Sequence, residues 1–225
     1  MGEYYDWVNV DKKQYLVPME FGHGSKITES CWYHAEVLGA LYSLLSSDWK
    51  GDHIAFIGDE AKVPLAPKNE TLRRLQKQCM DDSQNRGIDG YILDEYICVS
   101  GLFRAAEVEV REEIGNILDE PDYFHNWYGI DPANPYDGLF ERELVFFRYV
   151  INHDRKEYYD TEHTCWRRTS NKMDPLPLLL AYGRMTGNEE KPGIWLGDRL
   201  EVTNNIPGND YRDITDSHIW DDEWD

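Results

Sequence analysis

The sequence predicts an α+β fold of two similar units. Three observations lead there: short motifs that recur in one order in both halves, a β-hairpin pattern opening each half, and apolar helical stretches between each hairpin and a later strand. Residues 7–15 read Trp-Val-Asn-Val-Asp-Lys-Lys-Gln-Tyr and residues 150–158 read Val-Ile-Asn-His-Asp-Arg-Lys-Glu-Tyr, at an offset of 143. The Trp-Lys-Gly-Asp-His-Ile of residues 49–54 returns as Trp-Leu-Gly-Asp-Arg-Leu at 195–200, at an offset of 146. A weaker third pair joins Tyr96–Ser100 to Tyr211–Thr215, at an offset of 115. One such pair arises easily by chance. Three in the same order indicate a duplication whose second copy is shortened at its end.

Each unit is an antiparallel hairpin with a helix and a further strand. Tyr4 to Asn9 is aromatic and β-branched, Asp11-Lys12-Lys13 is a polar turn, and Gln14 to Val17 returns. Leu144 to Asn152, a turn at Asp154-Arg155, and Lys156 to Tyr159 repeat the pattern. Val37, Leu38, Leu41, Leu44 and Leu45 recur at helical spacing within Tyr33 to Leu45. The second copy has Pro175-Leu176-Pro177-Leu178-Leu179-Leu180-Ala181 there, and its prolines suit the start of a short helix. His53 to Ile57 and Arg199 to Thr203 read as strands. An insertion in the first unit predicts a helix over 70–80, a strand over 90–99, and a helix from about Gly101 to Leu118 capped by Ser100. Phe103, Ala106, Val110, Ile114 and Ile117 form one face of that last helix. The predicted division is residues 1–118 as the first unit, 119–138 as a linker rich in Pro, Gly, Asn and Asp, and 139–225 as the second unit with an acidic tail. Whether the units share one sheet is open.

The formal net charge is -20, from 43 acidic and 23 basic residues. That balance disfavours nucleic acid and anionic membrane as direct partners and favours a basic protein, or else serves solubility alone. Residues 101–150 carry 11 acids and 4 bases, and residues 201–225 carry 8 and 1. These two blocks hold 14 of the 20 excess charges, which a uniform solubility coat does not explain. Cys31, Cys79, Cys98 and Cys165 show no zinc spacing and read as free thiols. No leader peptide and no apolar run of about 20 residues is present, so a cytoplasmic location is expected.

At its motifs the chain resembles a family of small bacterial and phage-associated proteins. These begin Met-Gly-x-Tyr-Tyr, continue Val-Asn-x-Asp-Lys-Lys-x-Tyr-Leu-x-Pro, and later carry Trp-x-Gly-Asp-x-Ile followed by Gly-Asp. The matching residues are Met1, Gly2, Tyr4, Tyr5, Val8, Asn9, Asp11, Lys12, Lys13, Tyr15, Leu16 and Pro18, then Trp49, Gly51, Asp52, Ile54, Gly58 and Asp59. Pro175 to Leu179 and Trp195, Gly197 and Asp198 match in the second copy. A Gly-rich stretch that precedes the Trp motif in the family is missing in the first copy and survives only as Gly183 to Gly193 in the second. The resemblance implies a grouping and no specific chemistry.

Two sets of residues are candidates for function. Asp11, Lys13, Asp52, Asp154, Lys156 and Asp198 can form a polar site at the interface of the units, with acid–base potential in a cleft. The simpler reading is hairpin and Gly-Asp turns with solvated side chains. His153, His163 and Cys165 are the nearest approach to a metal set, with non-standard spacing, so no metal or cofactor is expected. No nucleophile elbow, P-loop or dinucleotide fingerprint occurs, and no catalytic residue is assigned. The second set is acidic: Glu107, Glu109, Glu112, Glu113, Asp119, Glu120 and Asp122 in one cluster, and Asp210, Asp213, Asp216, Asp221, Asp222, Glu223 and Asp225 in the tail. Most of both follow the Tyr-x-x-(Val/Ile)-(Ser/Thr) motif, so the two units would place them equivalently. Paired acidic surfaces can imitate the phosphate rows of a duplex and enter a basic nucleic-acid channel. The expected function is therefore a non-enzymatic inhibitor or neutraliser of a basic, nucleic-acid-handling protein, of the anti-defence, anti-CRISPR-like or immunity kind. The alternatives are a small enzyme or ligand-binding protein built on the polar turns, and an assembly protein.

Overall fold

The buried ends of the two hairpins organise the chain. The computed structural model describes residues 2–22, 25–62, 70–81, 87–119, 127–167, 169–185, 189–190 and 192–219. β1 (Tyr5–Asn9) pairs antiparallel with β2 (Gln14–Leu16), and β5 (Tyr149–Asn152) pairs antiparallel with β6 (Glu157–Asp160). Asn9 lies opposite Gln14, and Asn152 opposite Glu157. β3 (Ile54–Gly58) then runs antiparallel to β1 with Ile54 opposite Asn9, while β10 (Leu200–Thr203) runs beside β5 with Leu200 opposite Asn152. The short strands β4 (Ile97–Cys98) and β11 (Arg212–Asp213) add in parallel to β2 and β6.

The sheet orders are thus β4-β2-β1-β3 and β11-β6-β5-β10, built alike. All three repeated motifs, including the weakest, occupy equivalent places. The Val99 amide donates to the Tyr15 carbonyl at 2.8 Å and the Ile214 amide to the Tyr158 carbonyl at 2.9 Å. Ser100 Oγ accepts from the Val17 amide and Thr215 Oγ1 from the Asp160 amide, both at 2.9 Å.

The sheets are distinct. They meet at an antiparallel bridge between His53 and Arg199, with reciprocal bonds around it. The Gly51 amide donates to the Leu200 carbonyl at 2.7 Å, and the Gly197 amide to the Ile54 carbonyl at 2.9 Å. Exchanging the two units exchanges these bonds, as a local twofold requires.

The second unit also supplies an extra strand to the first sheet. α6 (Leu176–Leu180) leads directly into β7 (Ala181–Tyr182), which pairs parallel with Phe56 and Ile57 of β3, and β8 (Arg184–Met185) then pairs antiparallel with β9 (Glu189–Glu190). One apolar core therefore runs through both units. Trp7, Trp49, Trp195, Tyr15, Tyr159, Phe56 and Phe103 are fully buried in it. The indole N–H of Trp49 donates to Gln14 and that of Trp195 to Glu157, both at 2.8 Å, so these two equivalent rings have their polar edges satisfied, whereas the Trp7 indole nitrogen is buried without a partner. Asp174 is buried and accepts from the Tyr42 and Tyr159 hydroxyls and from the Leu176 amide. It ties α2 (Glu36–Leu45) to β6 and α6. Burial raises its carboxyl, and the two tyrosine hydroxyls hold it against that rise.

Residues 127–142, the described end of the predicted linker (119–138) and the first four residues of the predicted second unit, lie on the first unit. The Phe140 and Arg142 amides donate to the Gly101 and Leu102 carbonyls, both at 2.9 Å.

Several elements differ from expectation for identifiable reasons. α2 starts at Glu36 because His34, at φ 61, cannot continue a helix. The strand expected over 90–99 is instead α4 (Gly87–Glu95) followed by β4. Ile88, Tyr91 and Ile92 share a buried helical face there, and the run of β-favouring residues concealed that period. Ser100 does not cap a helix, because its hydroxyl oxygen is taken by Val17. The chain passes through 3-10 turns at Ser100–Leu102 and Arg104–Ala106, and α5 runs over Glu107–Asp119. α3 (Glu70–Met80) stands where the sequence places it.

Two glycines test the packing. A Cβ at Gly193 would lie 2.4 Å from the Leu179 carbonyl oxygen, whereas Gly115 in α5 faces open space. Gly193→Ala is expected to destabilise by about 1–3 kcal/mol through overpacking. Gly115→Ala is expected to stabilise by about 0.5–1 kcal/mol. Urea unfolding of the two variants against the parent checks both signs.

Candidate functional site

Each hairpin ends on a buried asparagine that works in both directions. Asn9 Oδ1 accepts the amides of Asp11 and Lys12 at 3.0 and 2.9 Å, and its Nδ2 donates to Asp52 at 2.9 Å. Asn152 does the same with Asp154, Arg155 and Asp198, at 3.0, 2.9 and 2.8 Å. An amide side chain fits because it carries an acceptor and a donor together. Lys13 and Lys156 both take φ 53 to close the turns, and Gly51 and Gly197 supply φ 75 and 74 opposite them.

The four predicted aspartates gather around the local twofold. Lys12 bridges to Asp52 and Arg155 to Asp198, each at 2.7 Å. Asp11 meets the His53 amide at 2.8 Å, the His53 ring at 2.7 Å and Arg74 at 2.6 Å. Asp154 meets the Arg199 amide at 2.8 Å and its guanidinium at 2.6 Å. Partial burial opposes ionisation of Asp11, but the bonds from His53 and Arg74 outweigh it and bring the carboxyl down to about 2. Asp154 is lowered in the same way, burial being overcome by Arg199. Burial prevails at Asp198 and raises its carboxyl.

The predicted lysines do not join this group. Lys156 pairs with Asp210 at 2.9 Å, and Lys13 is exposed on its turn. Every aspartate here already faces a cation of its own unit, so these pairs brace each turn and leave none of the four acids idle. Arg74 was not legible as a member: it arrives from α3, far along the chain, and no motif marks it.

The acidic set divides by environment. Glu107 pairs with Arg111 at 2.9 Å, and Asp213 accepts the Thr215 amide and hydroxyl at 2.9 and 2.6 Å. Glu109, Glu112, Asp119 and Asp216 are exposed. Among the described residues no cation pairs with them. Glu120, Asp122, Asp221, Asp222, Glu223 and Asp225 lie outside the described residues. The motifs that precede the two acidic stretches are equivalent, as expected. Of the tail's apolar residues, Ile214 is buried and Ile219 packs on the core.

Glu113 faces inward. Its Oε2 lies 3.0 Å from the hydroxyl oxygen of Tyr128, which also lies 2.6 Å from Oε1 of Glu20. Glu20, in the 3-10 turn Pro18–Phe21, is 4% exposed and was not singled out from sequence. Burial pushes its carboxyl up to about 8 against the hydrogen bond from Tyr128.

The residues weighed as metal ligands are dispersed. His153 meets Tyr211 and Glu201 at 3.0 and 3.1 Å, while His163 meets Asp160 at 2.9 Å. Donor atoms of Asp160, Glu162 and His163 lie within 4.8 Å of one another, but Arg148 lies against both carboxylates, at 2.8 and 3.7 Å. Cys31, Cys79 and Cys98 are buried thiols and Cys165 is half-buried. Among the described residues no helix is long and apolar enough to cross a membrane. Comparison with protein families, curated proteins and solved structures found no match.

Asn9→Ala and Asn152→Ala should each cost about 1–3 kcal/mol, because each leaves two turn amides unpaired and takes one hydrogen bond from a partly buried aspartate. Chemical unfolding of the two variants should give similar losses. The Asp11 contribution is present above the ordinary carboxylate pKa of about 3.9 and is lost as pH falls through about 2. Asp11→Asn should therefore be less stable than the parent at neutral pH and converge on it below about pH 2, followed by tryptophan fluorescence.

Proposed function

We propose that this chain is a non-enzymatic acidic binding protein that inhibits or neutralises a basic, nucleic-acid-handling protein partner. One contrast supports the reading. The aspartates at the unit junction are matched with cations, whereas α5 turns Glu109, Glu112 and Asp119 to solvent. Charges left unneutralised on a rigid helix attract a cationic surface at long range and lose that attraction to salt. Val108, 74% exposed on the same helix, adds an apolar contact beside them. Membership of the phage-associated family described above belongs to this proposal, as does a cytoplasmic location. A ligand or catalytic site on the paired turns has less support, because the turns are exposed and their carboxylates are already engaged.

The test is capture from a host lysate at about 50 mM and about 500 mM salt, with mass spectrometry, using the parent and the triple variant Glu109→Lys, Glu112→Lys, Asp119→Lys. Expected is a basic nucleic-acid-binding protein held by the parent at low salt, released at high salt, and bound at least about tenfold more weakly by the variant, a loss of about 1.4 kcal/mol. Equal capture by parent and variant would count decisively against the α5 face.

A further inference from the structure

Counting hydrogens at Glu20, Tyr128 and Glu113 exposes a mismatch. A phenol carries one hydrogen and donates one hydrogen bond. The Tyr128 oxygen nevertheless lies within bonding distance of two carboxyl groups, at 2.6 Å from Glu20 and 3.0 Å from Glu113. If both are ionised, one of these contacts is a repulsion between oxygens. Glu20 Oε2 is in addition buried and has no hydrogen-bond partner, a costly state for a carboxylate.

The other groups facing Glu20 bring only partial relief: hydrogen bonds with Cys98 and Ser100 favour its carboxylate, but no cation is among them. They are Cys98 and Ser100 on β4 and the turn after it, Asp6 on β1 and Tyr15 on β2. All of them are neutral or acidic. A chain in which the Glu20 O–H donates to Tyr128, and the Tyr128 O–H donates to Glu113, removes the oxygen–oxygen repulsion and leaves Oε2 a neutral carbonyl oxygen, which costs less to bury than a carboxylate oxygen.

We propose that Glu20, Tyr128 and Glu113 hold one shared proton that fastens α5 and the turn Trp127–Gly129 to the first unit, and that losing this proton loosens the acidic helix. Glu20 is the fixed member, on the 3-10 turn beside the sheet. Glu113 is the mobile member, one turn of helix from Glu109 on the element that carries the outward acids. Because burial raises the Glu20 carboxyl, the clamp is complete below the ordinary carboxylate pKa and is lost as pH rises through about 8. The same proton would tune the acidic face, and that consequence alone rests on the partner reading above. The clamp itself requires no partner.

Hydrogen exchange of amides in 107–119 and 127–129 reads the clamp directly on the full chain. Opening solvates Glu20 and releases its proton, so protection factors should fall about tenfold per pH unit between about pH 5 and 7 and level off above about pH 8. Glu20→Gln mimics the protonated acid and should remove the slope while keeping protection high. Glu113→Gln, at a half-buried position, lets the Tyr128 hydrogen serve an ionised Glu20, so the fall should level off at lower pH and be smaller in total than in the parent. Protection independent of pH in the parent, or equal slopes in the parent and both variants, would overturn the clamp. Because no partner enters the measurement, that failure would leave the lysate result untouched, and a failed capture would leave the clamp standing.

Discussion

The structure depends on a buried asparagine that is made at once part of a turn and part of a clasp. Asn9 and Asn152 are fully inaccessible, and a buried amide must find partners for both ends. Each satisfies its oxygen with the two amides of its own hairpin turn and its nitrogen with the aspartate of the Trp-x-Gly-Asp loop. That single requirement sets the register of the central strand pairs in each sheet. It also carries Asp52 and Asp198, with their neighbours His53 and Arg199, to the line where the units meet. A slip by one residue would move every side chain of β1 or β5 to the opposite face of its sheet, so the clasp and the packing on the two faces enforce the same alignment.

The distribution of charge follows from this geometry. Acids near the twofold are held by Lys12, Arg74, Arg155 and Arg199, whereas Glu109, Glu112 and Asp119 on α5 are left to the solvent. A chain this acidic would normally spend its few cations broadly. Here many of them stand at contacts between elements, Lys50 with Glu201 and Arg142 with Asp48 among them. Individual exposed pairs contribute little stability, so their value lies in orientation. Exposed acids that no cation meets among the described residues include Glu109, Glu112 and Asp119 on α5, and also Glu36, Asp131 and Asp137 elsewhere.

Features whose causes are local were legible in the sequence. The hairpins, α2, α3 and the short α6 announce themselves through turn residues and periodicity, and the repeated motifs located the equivalent strands even where identity was weak. Elements whose causes are distant were not. α4 was hidden because Tyr91, Ile92 and Leu93 are adjacent β-formers, and only the core beneath shows that Ile88, Tyr91 and Ile92 act as one face. Of the candidate site, the four aspartates were foreseen, and Lys12, Arg155 and Arg199 lie in the same repeated motifs, but Arg74 comes from a remote helix. Glu20 carried no signal, because a single acid in Pro-Met-Glu-Phe looks solvated until Tyr128 is folded over it.

The strand Ala181–Tyr182 has a consequence for how the chain is made. It closes the open edge of β3, yet it is synthesised more than a hundred residues after that strand. During translation the amino-terminal half therefore leaves the ribosome with an uncovered, wholly apolar border along Ile54–Gly58, the type of border that recruits other chains. A nascent chain stalled before residue 181 would need a chaperone or its own acidity to stay dispersed.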